Sequence, residues 1–347
     1  MRRDFSLYMD VIRFFAAMVV FLSHSSSQSL TGGLFWQFKD YAQTAVIVFF
    51  VLSGYVIAFV VEGKETNLKS YSFARIARLY SILLPALVLT AVLDLAGIYL
   101  NPEFDPLLTA SYLNLSQFEN YILSFFMLNN IWGLQQPPGI NGPFWSLSYE
   151  VFYYVIFGIV FFVKKTYKWT LAITACILAG PSILILFPTW LFGYFVYKMH
   201  QRFKAPRSKL KAGISVVAIG FIIAFAPDLR SIPTSLPFIE REELAGDYFD
   251  AVLFSIHLYY APHLTSFFNF SSERTVKVIR LLGSVTFSMY LFHRPIIQFL
   301  AVAFKDSMDS VYYHIMFYSI SFFLIFLLSH LFEDKKTIIK KYLNNRF

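Results

Sequence analysis

Residues 5–27 read FSLYMDVIRFFAAMVVFLSHSSS, an apolar run long enough to cross a bilayer that also holds an aspartate, an arginine and a histidine. At 100° per residue, the steps from Arg13 to His24 return to within about 20° of the same helix face, roughly 16 Å along the axis. The two side chains therefore share one stripe. A charged group in hydrocarbon costs on the order of 3 kcal/mol even on a lenient scale, so the stripe is expected to face protein or a water-filled cavity. Asp10, at i−3 from Arg13, is placed to neutralise it. The run has no small-residue cleavage site, and Asp10 and Arg13 are foreign to a signal-peptide core, so it is expected to persist as a first transmembrane helix.

The rest of the chain extends this reading. Its 347 residues are 57% hydrophobic and 14% charged, with 41 Phe and 22 Tyr, which is too apolar for a soluble globule. Apolar windows near 7–26, 42–61, 79–100, 144–163, 169–187, 189–200, 211–227, 247–267, 281–304 and 312–332 predict an all-α, polytopic bundle of about ten transmembrane helices. The segment 189–200 follows Pro188 closely, so the fifth and sixth spans are expected to meet in a tight turn. Lys and Arg alternate as the positive-inside rule requires. Arg2, Arg3, Lys64, Lys69, Arg75, Arg78, Lys164, Lys165, Lys168, the run from Lys198 to Lys211, Arg274 to Arg280 and the tail from Lys335 fall on one side. Lys39, Arg230, Arg241 and Lys305 fall on the other. Both termini are thereby expected in the cytoplasm, and the net charge of +8 is topological and calls for no nucleic acid. One membrane domain, 1–347, with a basic cytoplasmic tail at about 333–347, accounts for the whole chain. The connection 101–143 lacks Lys and Arg and is expected to form a structured lid or re-entrant element. Cys176, the single cysteine, reads as a core or lipid-facing residue.

Several polar residues stand out against this background. His24 is suited to take a proton near neutral pH, or to sit as an interfacial residue among Ser23 and Ser25–Ser27. Ser53 and Gly54 interrupt the second span, either for close helix packing or as a narrow lining for a slender ligand arm. Arg75 and Arg78, at i and i+3, are either positive-inside anchors or a phosphate clamp. Glu150 lies about 9 Å inside the fourth span, at a depth close to that of His24, where a carboxylate can orient an imidazole. Ser148 lies beside it. Ser288, Tyr290, His293 and Arg294 cluster in the ninth span, where Pro295 is expected to kink or unwind the helix next to a cavity. His257, His263, His314 and His330 read as packing or interfacial residues, and no metal-ligand spacing is seen. Nucleotide-loop, dinucleotide, hydrolase-elbow and zinc motifs are absent from the sequence.

Taken in order, MDVIRFFAAMVVFLSH (9–24), FFVLSGY (49–55), RIARLY (75–80), FFMLNN (125–130), FWSLSYE (144–150) and SMYLFHRP (288–295) resemble the membrane acyltransferase-3 family over nearly the whole chain. The resemblance implies a bacterial cytoplasmic (inner) membrane O-acyltransferase. Such an enzyme moves an acyl group, usually acetyl, from cytoplasmic acyl-coenzyme A to a hydroxyl of a cell-envelope polysaccharide or lipid-linked sugar. By that resemblance His24 is the catalytic base, Arg13 a partner holding the thioester or its carbonyl, Arg75 and Arg78 binders of the coenzyme A phosphates, and Glu150 a site carboxylate. Ser53 and Gly54 would line the path of the pantetheine arm, with Asp10, Ser148, Tyr290 and His293 around the cavity. Val151 stands where the family commonly has a second acid, and no added esterase-like SGNH domain is expected. Direct attack and a route through an acyl-His24 both remain open. The rival class is a secondary transporter using the buried Arg, His and Glu residues as a substrate or ion path, but no repeat symmetry supports it.

Overall fold

The structure is a computed structural model that describes residues 3–346 apart from 203–207, 235, 237, 238, 240, 269, 271, 306–309 and 334. Of the basic residues assigned to one side above, Arg2, Lys204 and Arg207 lie outside the described residues. The helices are α1 (Arg3–Ser25), α2 (Gln28–Thr31), α3 (Ala42–Gly63), α4 (Leu68–Leu100), α5 (Pro106–Leu113), α6 (Ser116–Phe125), α7 (Trp145–Phe162) and α8 (Lys165–Ala179). They continue as α9 (Pro181–Leu184), α10 (Phe187–Arg202), α11 (Lys209–Arg230), α12 (Leu244–Leu264), α13 (Glu273–Ser284), α14 (Thr286–Ala303), α15 (Val311–Phe332) and α16 (Lys335–Arg346). Among the described residues the only extended pairing is an isolated bridge between Leu236 and Ile239.

Each of the ten expected apolar windows is occupied by a helix. Seven of the described helical stretches are long and apolar enough to cross a membrane, or eight if α13 and α14, bent by 51°, are taken as one span. The shortfall has local causes. With 15 residues, α8 reaches only about 22 Å, and α12 carries Asp247 and Asp250 in its first two turns. Both acids are fully buried and are held by Arg230 at the end of α11, with Arg241 Nε donating to Asp247 at 2.6 Å. The expected tight turn is displaced from Pro188 to Gly180, whose φ of +80° and contact with the Trp132 backbone admit no side chain. Pro188 sits in the first turn of α10, where its missing N–H costs nothing.

Cross-links between helix ends fix the alternation of directions. At one end Arg3 donates to the Phe270 carbonyl at 2.5 Å, Arg280 pairs with Asp10, and Lys198 pairs with Glu62. At the other, Tyr313 donates to the Leu30 carbonyl at 2.6 Å and Trp132 to that of Ile177 at 2.9 Å. The middle of α1 and the first half of α16 lie close together, since Arg13, Arg78, Lys336 and Lys340 line one cavity.

The 101–143 connection is a structured element, tied to α4 at Asp94, at Thr90, which accepts from Asn141 Nδ2 at 3.0 Å, and at Tyr80, which donates to the Phe125 carbonyl at 3.0 Å. Asp94 accepts from Tyr112 OH and from the Ile140 N–H, each at 3.0 Å, and burial together with this carboxylate pushes the Tyr112 phenol well above its ordinary value. Gly139, with φ +51°, lies so close to Asp94 that a Cβ would fall 1.9 Å from its oxygen. The same connection repairs α14. Pro295 does not interrupt that helix, whose break lies instead at Val285. It lacks the N–H that would reach the carbonyl of Leu291, and Asn141 Nδ2 donates to that carbonyl at 2.9 Å in its place.

Candidate active site

Four cavities lie in series, consecutive ones sharing walls. A vestibule of about 390 Å³ is lined by Arg13, Arg78, Phe287, Glu333, Lys336 and Lys340, among others. It shares Arg13, Arg78, Thr286 and Phe287 with a neck of about 60 Å³, which also touches Phe49, Phe50, Ser53, Leu147, Glu150 and Tyr290. Val46 and Tyr290 join the neck to a chamber of about 490 Å³ that holds His24 and Arg294. Gln43, Gly142 and Trp145 join that histidine chamber to an amide chamber of about 470 Å³. Arg13 and His24 thus open onto the same series, as their shared stripe requires.

His24 is held by another histidine. Its Nδ1 lies 2.7 Å from Nε2 of His293, which is fully buried on α14, and the rings are nearly parallel with centroids 5.0 Å apart. His293 Nδ1 faces the Met289 carbonyl at 2.9 Å. A carbonyl only accepts, so this nitrogen carries the proton of a neutral His293 and its Nε2 is the acceptor. His24 Nδ1 must then donate, which leaves the lone pair on His24 Nε2. The hydrogen positions follow from this network, and they put His24 in the tautomer a general base needs.

This corrects the expectation that Glu150 orients His24. Glu150 Oε1 accepts from Ser53 Oγ at 3.0 Å and from Tyr154 OH, and Trp190 Nε1 donates to Ser53 Oγ at 3.1 Å. Glu150 therefore lines the neck, one cavity away from His24, facing the side of Arg13 and Arg78.

Three other expectations are revised. Arg75 does not join Arg78 in a clamp. It is paired with Glu65 and lies against the rings of Tyr71 and Tyr154 at 4.8 and 5.6 Å, while Arg78 alone faces the cavities. A separation of i, i+3 leaves about 60° between two side chains, enough to send them to different neighbours. Gly54 is packing and not lining, because its missing Cβ would sit 1.9 Å from the Trp190 carbonyl, and Gly193 meets the Val51 carbonyl reciprocally. Of the residues expected around the cavity, Tyr290 lines the neck and the histidine chamber, whereas Asp10, Ser148 and His293 line none of the four cavities. Asp10 lies 3.6 Å from Arg13 and also pairs with Arg280, and Ser148 Oγ donates to Asn129 Oδ1 at 2.8 Å, behind the amide chamber.

Residues that the sequence did not single out complete the site. Gln43 Nε2, Arg241 Nη2 and Ser182 Oγ are buried without a hydrogen-bond partner among the described residues, and all three residues line the amide chamber. Arg241 also lies over the Trp145 ring at 5.1 Å. Such orphaned polar groups cost about 1–3 kcal/mol each unless water or a ligand satisfies them. Nothing in an isolated Gln at the head of an apolar run announces this role.

Residues 6–333 match the acyltransferase domain model of the acyltransferase-3 family. The chain belongs to the acyltransferase-3 family. Relatives within this wider group of acyltransferases include an O-acetyl transferase of Shigella phage Sf6, 28% identical over 204 residues that cover 53% of this chain and 57% of that protein. Acyltransferase MdmB of Streptomyces mycarofaciens is 25% identical over 191 residues, covering 51% of this chain and 46% of that protein. The chain spans about half the length of the curated relatives it matches. No solved structure gives a significant match.

Proposed function

We propose that this acyltransferase-3 protein is an integral membrane O-acyltransferase that moves a small acyl group, acetyl by preference, from acyl-coenzyme A to a hydroxyl of an envelope glycan or lipid-linked sugar. The observation that carries the reading is the His24–His293 pair, which supplies a base with a fixed tautomer between a cationic vestibule and a polar chamber. His24 Nε2 takes the proton of the acceptor hydroxyl as that oxygen attacks the thioester carbonyl. The tetrahedral oxyanion collapses, the C–S bond breaks, and the departing sulfur receives the proton, giving the ester and the free thiol of coenzyme A. Arg294, which lines the same chamber together with Lys39, is a cation available to the oxyanion.

The donor enters by the vestibule and the acceptor by the amide chamber. Two donors and a hydroxyl there without partners among the described residues suit a ligand rich in hydroxyl or carbonyl oxygens. Ten spans with both termini cytoplasmic fit the crowding of Lys and Arg at the vestibule end, in a bacterial inner membrane.

The test follows thiol release from acetyl-coenzyme A by the purified full-length protein with an envelope polysaccharide acceptor. Wild type is expected to release thiol and label the acceptor, and His24→Ala to do neither while eluting as a folded protein. Full transfer by His24→Ala overturns the assignment, and transport without thiol release supports the rival class.

A further inference from the structure

The family match ends at residue 333 and α16 begins at Lys335, yet α16 forms one wall of the vestibule. Lys336 and Lys340, one helical turn apart, face the cavity with Arg13 and Arg78, whereas Lys335 and Lys341 on the same helix are exposed. Four cations therefore surround a space of about 390 Å³ that touches one carboxylate, Glu333. That carboxylate is occupied. Ser288 and Ser329 each donate to it at 3.1 Å, and Lys336 lies 3.8 Å away. The side chains of Arg78 and Lys340 make no hydrogen bond or ion pair with the described residues, and both line the cavity. With four cations against one carboxylate the recess is net positive, which concentrates the potential there and favours a polyanion.

Depth orders the cations. Arg13 and Arg78 line both vestibule and neck, while Lys336 and Lys340 line the vestibule alone. We propose that α16 is part of the donor site and that Lys336 and Lys340 bind the phosphate farthest from the thioester, the 3′-phosphate on the ribose of coenzyme A. The diphosphate then falls nearer to Arg78. This rests on the donor named in the proposed function, and it concerns a helix outside the matched family domain.

The experiment measures binding of coenzyme A and of dephospho-coenzyme A to the full-length protein in phosphatidylcholine nanodiscs. Wild type is expected to prefer coenzyme A by about tenfold, as a charge-assisted phosphate contact provides. The Lys336→Gln/Lys340→Gln variant is expected to bind both equally and to show a raised KM for acetyl-coenzyme A with unchanged kcat. The Lys335→Gln/Lys341→Gln variant keeps the preference. A parallel set in phosphatidylglycerol nanodiscs identifies a lipid-headgroup site, for which the anionic lipid itself removes the preference. An unchanged preference in the Lys336→Gln/Lys340→Gln variant overturns this inference alone, and absence of binding by wild type overturns the donor assignment with it.

Discussion

His293→Ala removes the acceptor that fixes the tautomer of His24. The lost hydrogen bond, at 2.7 Å between a half-buried and a fully buried ring, is worth about 1 kcal/mol net. The His24 Nδ1–H is then left to find water in a site where an unpaired donor costs roughly 1–3 kcal/mol. Together these amount to about 2–4 kcal/mol of lost organisation, which converts to about 30- to 900-fold in kcat. KM for the acyl donor should stay within about twofold, because His293 lines neither the vestibule nor the neck. His293→Gln separates positioning from packing. Its side-chain carbonyl can take the place of Nε2 and accept from His24, so it should recover most of the rate. The assay is thiol release on protein of matched elution profile and thermal stability. Wild-type kcat in His293→Ala would refute the tautomer argument, and an equal loss in His293→Gln with intact folding would show that acceptance of the His24 proton is not what His293 provides.

Two further substitutions separate structure from binding. Gly54→Ala places a methyl 1.9 Å from the Trp190 carbonyl, and backbone cannot yield as a side-chain tip does, so a loss of about 1–3 kcal/mol or more should appear as a lowered Tm in detergent. Arg75→Gln strands the Glu65 carboxylate and should destabilise by about 3–5 kcal/mol, whereas Arg78→Gln should leave Tm nearly unchanged and raise KM for the acyl donor. A donor KM raised equally in both variants would restore the two-arginine clamp.

The extent to which the sequence disclosed this arrangement depended on the range of each interaction. Helical spacing alone put Arg13 and His24 on one stripe, and the two do open onto the same series of cavities. The same geometry, applied to Arg75 and Arg78, left 60° unaccounted for, and the neighbours Glu65 and Tyr71 decided the outcome. His24 found its partner 269 positions away, on a helix chosen by tertiary packing, and depth along two helices could not distinguish His293 from Glu150. Gly54 shows the converse case, since the plain reading of a small residue in an apolar helix was the correct one. Gln43 and Arg241 acquired meaning only when a cavity was found against their unpaired atoms.

The neck also bears on what the bilayer must retain. At about 60 Å³ it is the smallest of the four cavities, between larger spaces on either side. Phe49, Phe50, Leu147 and Phe287 line it beside Arg13, Arg78 and Glu150, and a hydrated ion passing it would have to surrender part of its shell against aromatic carbon. An acyl chain meets no such penalty. Narrowness here would let a thioester reach across while the electrochemical gradient stays insulated, and replacing one of these phenylalanines with serine should then make the protein leak protons before it fails to transfer acyl groups.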